Sequence, residues 1–176
     1  MKIGELIKLR KFLQKDIDRI MEIFPDKKIT DGIGITLSNK PPKITRKFEK
    51  TWLKKTISNY RKKKPKEYNL AITLDNILIG SIGMNKIDYE NKNLEVGYWI
   101  GREYWGKGYA TKALRLFLDF VDKKYQPKRV YGFAFTFNPG SRRVMEKCGF
   151  KLEGIRKNIK KGIGKFYDDY MLALTK

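Results

Sequence analysis

The most informative stretch of this chain is Gly97-Tyr98-Trp99-Ile100-Gly101-Arg102-Glu103-Tyr104-Trp105-Gly106-Lys107-Gly108-Tyr109-Ala110-Thr111-Lys112-Ala113-Leu114. Its pattern predicts a strand, a glycine-rich loop and the start of a helix. Gly106 and Gly108 lack a Cβ, so the loop can adopt positive φ angles and a ligand can lie against its backbone. Backbone N–H groups at a helix N-terminus attract anions. We therefore predict an anion-binding loop, to which Lys107 adds positive charge.

The same glycines also fit a simpler interpretation, in which they only form the turn between a strand and a helix. The loop has neither the G-x-G-x-x-G spacing of a dinucleotide site nor the G-x-x-x-x-G-K-S/T spacing of a nucleoside triphosphate site. An anion of another kind is therefore expected.

A second block stands further along the chain, Asn138-Pro139-Gly140-Ser141-Arg142-Arg143-Val144-Met145-Glu146-Lys147-Cys148-Gly149-Phe150. Together the two blocks resemble the GNAT superfamily of acyl-CoA-dependent N-acetyltransferases, and within it the ribosomal-protein N-terminal (alanine/serine) acetyltransferase branch. The superfamily's pyrophosphate loop, Gln/Arg-x-x-Gly-x-Gly/Ala, matches residues 105–110. Trp105 replaces the usual Gln or Arg, as is typical of the ribosomal branch. The resemblance runs from about Ile7 to Leu174.

The resemblance implies a cleft where the fourth and fifth strands, Leu94–Ile100 and Arg129–Thr136, splay apart. Acetyl-CoA would lie there, with its pyrophosphate on the loop and its pantetheine arm on the backbone of the fourth strand, as an added strand would. Asn138 would bond the pantetheine or cap the next helix. The residues assigned to acetyl-CoA are Tyr98, Trp99, Ile100, Trp105, Gly106, Lys107, Gly108, Tyr109, Ala110, Thr111, Asn138 and Ser141. No metal is expected.

Acetyl transfer to an amine needs a group that receives the amine's proton. The chain has no histidine, so this group must be a carboxylate or a water held by one. Glu95 is the first candidate for two reasons. Strand alternation places it on the other face of the strand from Leu94 and Val96. The superfamily also often has a catalytic glutamate near this position. It also fits a purely structural role, hydrogen-bonded to strand or substrate-loop groups. Glu153 and the pair Asp168-Asp169 are weaker candidates.

The departing thiolate needs stabilisation or a proton. Many superfamily members use a tyrosine seven residues after the asparagine of the second block, but this chain has Met145 there, which has no acidic proton. Ser141 is our candidate, since its hydroxyl stands in the first turn of the same helix and the ribosomal branch generally carries serine. An alternative is that Ser141 only bonds N–H groups at the helix start. Cys148 is interpreted as a small core residue, because direct transfer needs no acyl-enzyme.

Composition narrows the class of protein. The single cysteine excludes an intrachain disulfide, and the lack of histidine argues against a zinc site. No window of about 18 apolar residues is present, and the segment Met1–Glu5 is charged too early for a secretory signal. We expect a cytoplasmic protein without a membrane span.

The net charge of +21 points to anionic partners, which include CoA, an acidic protein tail or RNA. The lysines can equally be solvent-exposed surface residues that bind no partner, and no RNA-binding motif accompanies them. We expect the acceptor to be a protein α-amino group, with acidic and ribosome-associated proteins as candidates. We expect this protein itself to be a monomer or a homodimer. Two alternatives are acetylation of a small-molecule amine such as a polyamine or aminoglycoside, and a non-catalytic CoA-binding protein that associates with RNA or the ribosome.

Hydrophobic periodicity predicts one mixed α/β domain over residues 1–176. The resemblance implies that its sheet is GNAT-like, mixed and mainly antiparallel, and flanked by helices. The element order is β-α-α-β-β-β-α-β-α-β-β. The region Pro25–Pro42 is predicted to be a loop that forms a wall of the substrate site. The other segments are a strand Glu5–Arg10, a helix from Gln14 to Pro25, a helix Thr45–Lys62, strands Tyr68–Leu74, Ile77–Met84, Leu94–Ile100 and Arg129–Thr136, a helix after the glycine loop, a helix Pro139–Lys147, and a hairpin of Lys151–Lys161 with Lys165–Thr175.

Overall fold

The structure is a computed structural model that describes residues 6–162 and 164–176, and at residue 161 it describes the backbone alone. The predicted first residue of the first strand, Glu5, lies outside these ranges. The strands are β1 (Ile7–Arg10), β2 (Tyr68–Leu74), β3 (Ile77–Asp88), β4 (Asn93–Ile100), β5 (Arg129–Phe135), β6 (Lys151–Gly162) and β7 (Lys165–Thr175). The α-helices are α1 (Ile17–Ile23), α2 (Lys27–Gly32), α3 (Arg46–Asn59), α4 (Tyr109–Tyr125) and α5 (Pro139–Lys147).

The described strands form one sheet in the order β1-β2-β3-β4-β5-β7-β6. All neighbouring pairs are antiparallel except β4 and β5, which run parallel. These two strands pair at only three positions, Asn93–Arg129, Leu94–Val130 and Glu95–Tyr131. The mixed, mainly antiparallel sheet and the divergence of the fourth and fifth strands are as predicted.

The two faces of the sheet carry separate hydrophobic clusters. Leu94 and Val96 of β4 belong to the cluster that includes Phe117 of α4. Trp99 packs against the other cluster, which includes Ile20 of α1. Side chains alternate along a strand, so α4 and α1 cover opposite faces, and the predicted alternation within β4 is confirmed.

The segment between Pro25 and Pro42 contains a short helix, α2, so the prediction of a continuous loop is wrong there. Asp26 caps this helix, because its carboxylate accepts a hydrogen bond of 2.8 Å from the backbone N–H of Lys28. Ile29 is buried in the cluster on the α1 face. Six residues are too few to display a helical period, and the capping aspartate was the one local signal available.

A β-bulge interrupts the pairing of β3 with β4. The pairing passes from Met84–Val96 to Lys86–Glu95, so Asn85 is an extra residue on β3. A Cβ on Gly97 would lie only 2.5 Å from the amide nitrogen of Asn85, and glycine therefore makes room for this side chain. The strand continues to Asp88, beyond its predicted end, and places Lys86 opposite Glu95.

Helix α3 buries a carboxylate in its first turns. Glu49 is 3% exposed, and its Oε1 atom has no hydrogen-bond partner among the described residues. Burial raises the pKa of Glu49 to about 7, because the ionised form loses its hydration. Near neutral pH the folded protein therefore holds this group partly protonated.

We predict that replacing this carboxylate changes how stability depends on pH. The pKa of Glu49 is higher in the folded protein than its ordinary value of 4.5. The folded state therefore binds more protons, and the free energy of unfolding falls as pH rises through the window from 4.5 to about 7. Glu49→Gln removes this titration, so the melting temperature of the variant relative to wild type should be higher at about pH 8 than at about pH 5.

Thermal unfolding followed by circular dichroism at both pH values measures this difference. Glu90→Gln, at an exposed position, is the control and should change little with pH. If the relative melting temperature of Glu49→Gln is the same at both pH values, the carboxyl group ionises equally in the folded and unfolded protein.

Candidate active site

A cleft of about 600 Å³ opens where β4 and β5 separate. Residues from α2, β4, the glycine loop, β5, α5, β6 and β7 line it. Both predicted catalytic residues, Glu95 and Ser141, face this space. Every residue assigned to acetyl-CoA from the sequence also lines it, except Lys107. The structure thus brings together groups that lie far apart in the sequence.

The glycine loop leads directly into α4. Gly106 and Gly108 have φ angles of 74° and 81°, in the left-handed region that favours glycine. A Cβ at either position would meet no atom within 4 Å, so the space in front of the loop is open. Gly108 is the N-cap of α4 and has no side chain to satisfy the first N–H groups of this helix. The loop and helix start therefore fit a diphosphate group.

Three side-chain contacts fasten the loop to its surroundings. The indole N–H of Trp105 donates a hydrogen bond of 2.7 Å to the carbonyl oxygen of Ile100. Arg102 forms an ion pair of 2.9 Å with Asp26 at the start of α2, and Arg19 of α1 donates a hydrogen bond of 3.0 Å to the hydroxyl of Tyr104. Trp105 thus anchors the loop to the end of β4, and the Ile100 carbonyl is already occupied.

Some residues assigned to acetyl-CoA direct their side chains elsewhere. Tyr109 is buried in the cluster under α4. Trp99 packs against Phe24 on the opposite face of the sheet, with ring centroids 5.0 Å apart. The amine of Lys107 lies 5.9 Å from the centroid of the Tyr104 ring. The side chains of Tyr109 and Trp99 are therefore turned away from a ligand in the cleft on the α4 side.

Ser141 and Tyr98 meet on the α4 face of the sheet. The Tyr98 hydroxyl lies 3.0 Å from the Ser141 carbonyl oxygen, to which it donates, and 3.1 Å from the Ser141 hydroxyl. Burial raises the pKa of Tyr98 above its ordinary value, so the phenol keeps its proton. Asn138 accepts a hydrogen bond of 3.2 Å from the Ser141 N–H and so caps α5. Met145 is 1% exposed and leaves no hydroxyl at the position of the usual tyrosine.

Glu95 lies on the opposite face, within the cleft. Its side chain is 15% exposed, and the amine of Lys86 lies 3.4 Å from Oε2. This contact is within ion-pair distance but does not have hydrogen-bond geometry, and Oε2 has no hydrogen-bond partner among the described residues. Oε2 is itself enclosed, so the exposed part of the side chain lies on its other atoms, and a substrate or a water can reach the carboxylate only there.

An arginine–aspartate pair lies on the same face as Glu95. Arg156 donates two hydrogen bonds to Asp169, Nε to Oδ1 at 2.8 Å and Nη2 to Oδ2 at 2.6 Å. This hydrogen bonding raises the pKa of Arg156. The guanidinium carbon lies 3.6 Å from the centroid of the Phe133 ring. All three residues line the cleft.

The weaker base candidates are now distinguished by their contacts. Asp168 pairs with Lys157 at 2.9 Å outside the main cleft. Glu153 is paired with Arg129, which lowers the pKa of this carboxyl group. Asp169 reaches the cleft, but Arg156 occupies both of its oxygens. Among the candidates, Glu95 remains the carboxylate that lines the cleft without an arginine bound to it.

The sequence match agrees with this geometry, since the profile described as Acetyltransferase (GNAT) domain covers residues 7–151. The chain belongs to the GNAT acetyltransferase family. It is 26% identical over 172 residues to the uncharacterized N-acetyltransferase p20 of Bacillus licheniformis, covering 98% of this chain and 94% of p20. It is 33% identical over 95 residues to the ribosomal-protein-serine acetyltransferase of Escherichia coli, covering 54% and 52%.

A solved structure of RimL, a ribosomal L7/L12 α-N-protein acetyltransferase in complex with coenzyme A, has the same fold. It superposes with a TM-score of 0.83 at 18% identity, covering 99% of this chain and 96% of RimL. The GNAT assignment and the predicted fold class are confirmed. This GNAT protein is an acyltransferase that uses acetyl-CoA as its acetyl donor.

Three further features concern metal binding, thiol reactivity and membrane crossing in the described part of the GNAT domain. Within it, no group of three histidine, cysteine, aspartate or glutamate residues can hold a metal ion. The Cys148 thiol donates to the Thr111 carbonyl oxygen at 3.5 Å, and burial raises its pKa, which disfavours the thiolate. No helix among these residues is long and apolar enough to cross a bilayer.

Sequence reasoning missed several residues of the cleft. Arg156 and Phe133 had no motif, because they meet only when β5, β7 and β6 pair. Asn85 reaches the site through a bulge, which a sequence pattern does not show. Lys28 enters with α2. The polar side chain of Asn85 at the end of an apolar run was the one signal that could have revealed the bulge.

We predict that Gly108→Val weakens the binding of acetyl-CoA at least tenfold. Valine at a φ of 81° is strained. A backbone change that relieves this strain would turn the first N–H groups of α4 away from their common direction. Isothermal titration calorimetry with acetyl-CoA measures the affinity.

Gly164→Val is the matched control, because it places the same residue at a φ of 76° in the turn between β6 and β7. It should bind acetyl-CoA as wild type does. A folded Gly108→Val protein with wild-type affinity would remove the diphosphate site from this loop.

Proposed function

We propose that this GNAT enzyme acetylates the N-terminal α-amino group of a protein, such as a ribosomal protein, by direct transfer in a ternary complex. The observation that carries the proposal is the position of two catalytic groups on opposite faces of the sheet. Ser141 lies on the α4 face and Glu95 on the α1 face, and both line the gap between β4 and β5. A donor and an acceptor can therefore meet in this gap from opposite sides.

The α4 face is built to hold the donor, which supplies an acetyl thioester when bound. The N–H groups at the start of α4 would hold its diphosphate. Each charge-assisted hydrogen bond contributes about 1.5 to 3 kcal/mol, so three or four suffice for micromolar affinity after ordering costs. Beyond Glu95, β4 has no pairing to β5, so its backbone can bond an extended amide chain.

Glu95 acts on the acceptor amine. Its carboxylate accepts a proton from the amine, directly or through one water, as the new C–N bond forms. The C–S bond breaks in the same transfer, and the sulfur leaves as a thiolate. Charge therefore develops on both faces of the sheet during one reaction.

Ser141 acts on the sulfur. Its hydroxyl can donate a hydrogen bond to the leaving thiolate, while Asn138 and Tyr98 hold the first turn of α5 in place. Tyr98 retains its proton and so remains a hydrogen-bond donor toward Ser141. In this assignment the Ser141 hydroxyl stabilises the negative charge on the sulfur, and Asn138 and Tyr98 position the Ser141 backbone.

A protein α-amino group suits these residues better than a lysine side chain. Its pKa near 8, against about 10.4 for lysine, reduces the free energy needed for the neutral amine at pH 7 by about 3 kcal/mol. The net charge of +21 repels polyamines. The activities named for the Escherichia coli relative and for RimL support the same acceptor class.

The acceptor is tested by incubating the enzyme and acetyl-CoA with a panel of amines and analysing the products by mass spectrometry. The panel contains acidic ribosomal-protein N-terminal peptides, the same peptides with a blocked N-terminus and an internal lysine, and spermidine. We expect acetylation of the free α-amino group only. Acetylation of spermidine alone would establish the small-molecule alternative, and no turnover at all would favour a non-catalytic CoA-binding protein.

We predict that Glu95→Gln and Ser141→Ala lower turnover with different pH profiles. Loss of the base should cost roughly 10²-fold at neutral pH and recover at high pH, because the free amine then needs no base. Loss of the hydroxyl should lower kcat at all pH values and spare CoA affinity, because it acts mainly in the transition state. Steady-state kinetics between about pH 6 and 10 give both profiles.

Glu90→Gln and Ser58→Ala, both at exposed positions, are the controls. Wild-type rates in Glu95→Gln across this range would place the base elsewhere. A loss in Ser141→Ala confined to CoA affinity or to melting temperature would make Ser141 a ligand contact or a structural residue.

A further inference from the structure

We propose that Arg156 binds the first carbonyl oxygen of the acceptor and so selects peptide α-amino groups over amines that lack a neighbouring oxygen. This inference rests on the proposed function, since it concerns the acceptor in the same cleft. It assigns a specificity role to a residue that carries no sequence motif.

The pairing of the strands places Arg156 on the acceptor side. Glu95 is opposite Tyr131 in the β4–β5 pair, and side chains two residues apart on β5 share a face, so Phe133 and Phe135 lie on the Glu95 face. Phe135 pairs with Asp169, which in turn pairs with Arg156. Arg156 and Glu95 therefore reach the cleft from the same face, and the Glu95 charge contributes to the raised pKa of Arg156.

The guanidinium of Arg156 is held in one orientation with one edge open. Asp169, whose side chain is 4% exposed, accepts from Nε and Nη2, and the Phe133 ring supports the guanidinium plane. The remaining nitrogen, Nη1, has no hydrogen-bond partner among the described residues, and the Arg156 side chain is 41% exposed. A guanidinium fixed in this way loses little conformational freedom when it binds a ligand.

The chemistry of the acceptor matches these two groups. In a peptide N-terminus, one carbon separates the α-amine from the first carbonyl carbon. An amine that reaches Glu95 therefore brings a carbonyl oxygen along with it, and the free N–H groups of Arg156 can donate to this oxygen. Polyamines and lysine side chains carry only methylene groups next to the amine. Recognition at two points would thus separate the two classes by a hydrogen bond as well as by basicity.

The same part of the sheet supplies a matched control. Arg129 of β5 also forms a two-point pair, with Glu153 of β6, and its guanidinium carbon lies 5.7 Å from the centroid of the Tyr131 ring. Neither Arg129 nor Glu153 lines the cleft. An effect that comes only from weakening an arginine–carboxylate pair should appear equally in both places.

The experiment compares alaninamide with isopropylamine as acceptors. The two amines differ in that a carboxamide in the first replaces a methyl group in the second. We measure kcat/KM for both with wild type, Arg156→Lys and Arg129→Lys. The basicity of each amine cancels, because each comparison uses the same amine in different enzymes. Should isopropylamine turnover fall below detection, its inhibition constant against alaninamide takes the place of kcat/KM.

We expect Arg156→Lys to lower kcat/KM for alaninamide roughly 10- to 100-fold, the loss typical of a charge-assisted hydrogen bond. The value for isopropylamine should stay within about threefold, and Arg129→Lys should affect neither amine. Asp169→Asn, which keeps Arg156 but loosens it, should show a smaller loss with the same selectivity. It is the second variant in case Arg156→Lys folds poorly.

Equal losses for both amines in Arg156→Lys and Asp169→Asn would overturn the inference and leave a structural ion pair. Unchanged kinetics in folded variants would overturn it as well. The panel experiment separates this result from a failure of the proposed function. A wild-type enzyme that acetylates peptides with no selective effect of Arg156 refutes only the inference, whereas one that acetylates spermidine but not peptides refutes both.

Discussion

The separation of β4 from β5 after three paired positions is the constraint on which the cleft depends. Backbone N–H and C=O groups must find partners, and a strand that leaves its neighbour exposes a row of them. Gly132 stands next to this point, since a Cβ there would lie 3.1 Å from the Val96 carbonyl oxygen and 3.2 Å from the Met145 sulfur. The parting strands therefore create both the space for the donor and the backbone groups that an amide chain can satisfy.

Strand alternation then distributes the chemistry between the two faces. On β4, Tyr98 points to α4 and α5, whereas Glu95 points to α1 and α2. The glycine loop precedes α4, so in the proposed reaction the donor's diphosphate lies on the face that lacks Glu95. The other face carries Glu95 together with Arg156. In our proposal the sheet thus separates a site for the phosphate-bearing donor from the site that receives the amine's proton.

The sequence predicted the sheet and the conformation of the glycine loop, because both depend on local patterns. Gly106 and Gly108 reveal a loop by their backbone preference, and Leu94 and Val96 reveal a strand face by their spacing. The cleft residues of β6 and α2 were not predicted. Arg156 reaches the cleft through the pairing of three strands, and the short helix α2 has too few residues for a period. The side-chain directions of Trp99 and Tyr109 also depended on which helix covers which face.

The ion pair between Arg102 and Asp26 joins the segment before the glycine loop to α2, whose residues line the cleft. Asp26 has two partners, the Arg102 guanidinium and the backbone N–H of Lys28. Asp26, which caps α2, is therefore constrained, and only other positions near α2 can change. Ile33 lines the cleft and is 37% exposed, so other side chains can replace it at little cost in packing, whereas Ile29 is buried in the cluster on the α1 face. A designed variant that accepts a different amine would change Ile33 and keep the pair of Asp26 and Arg102.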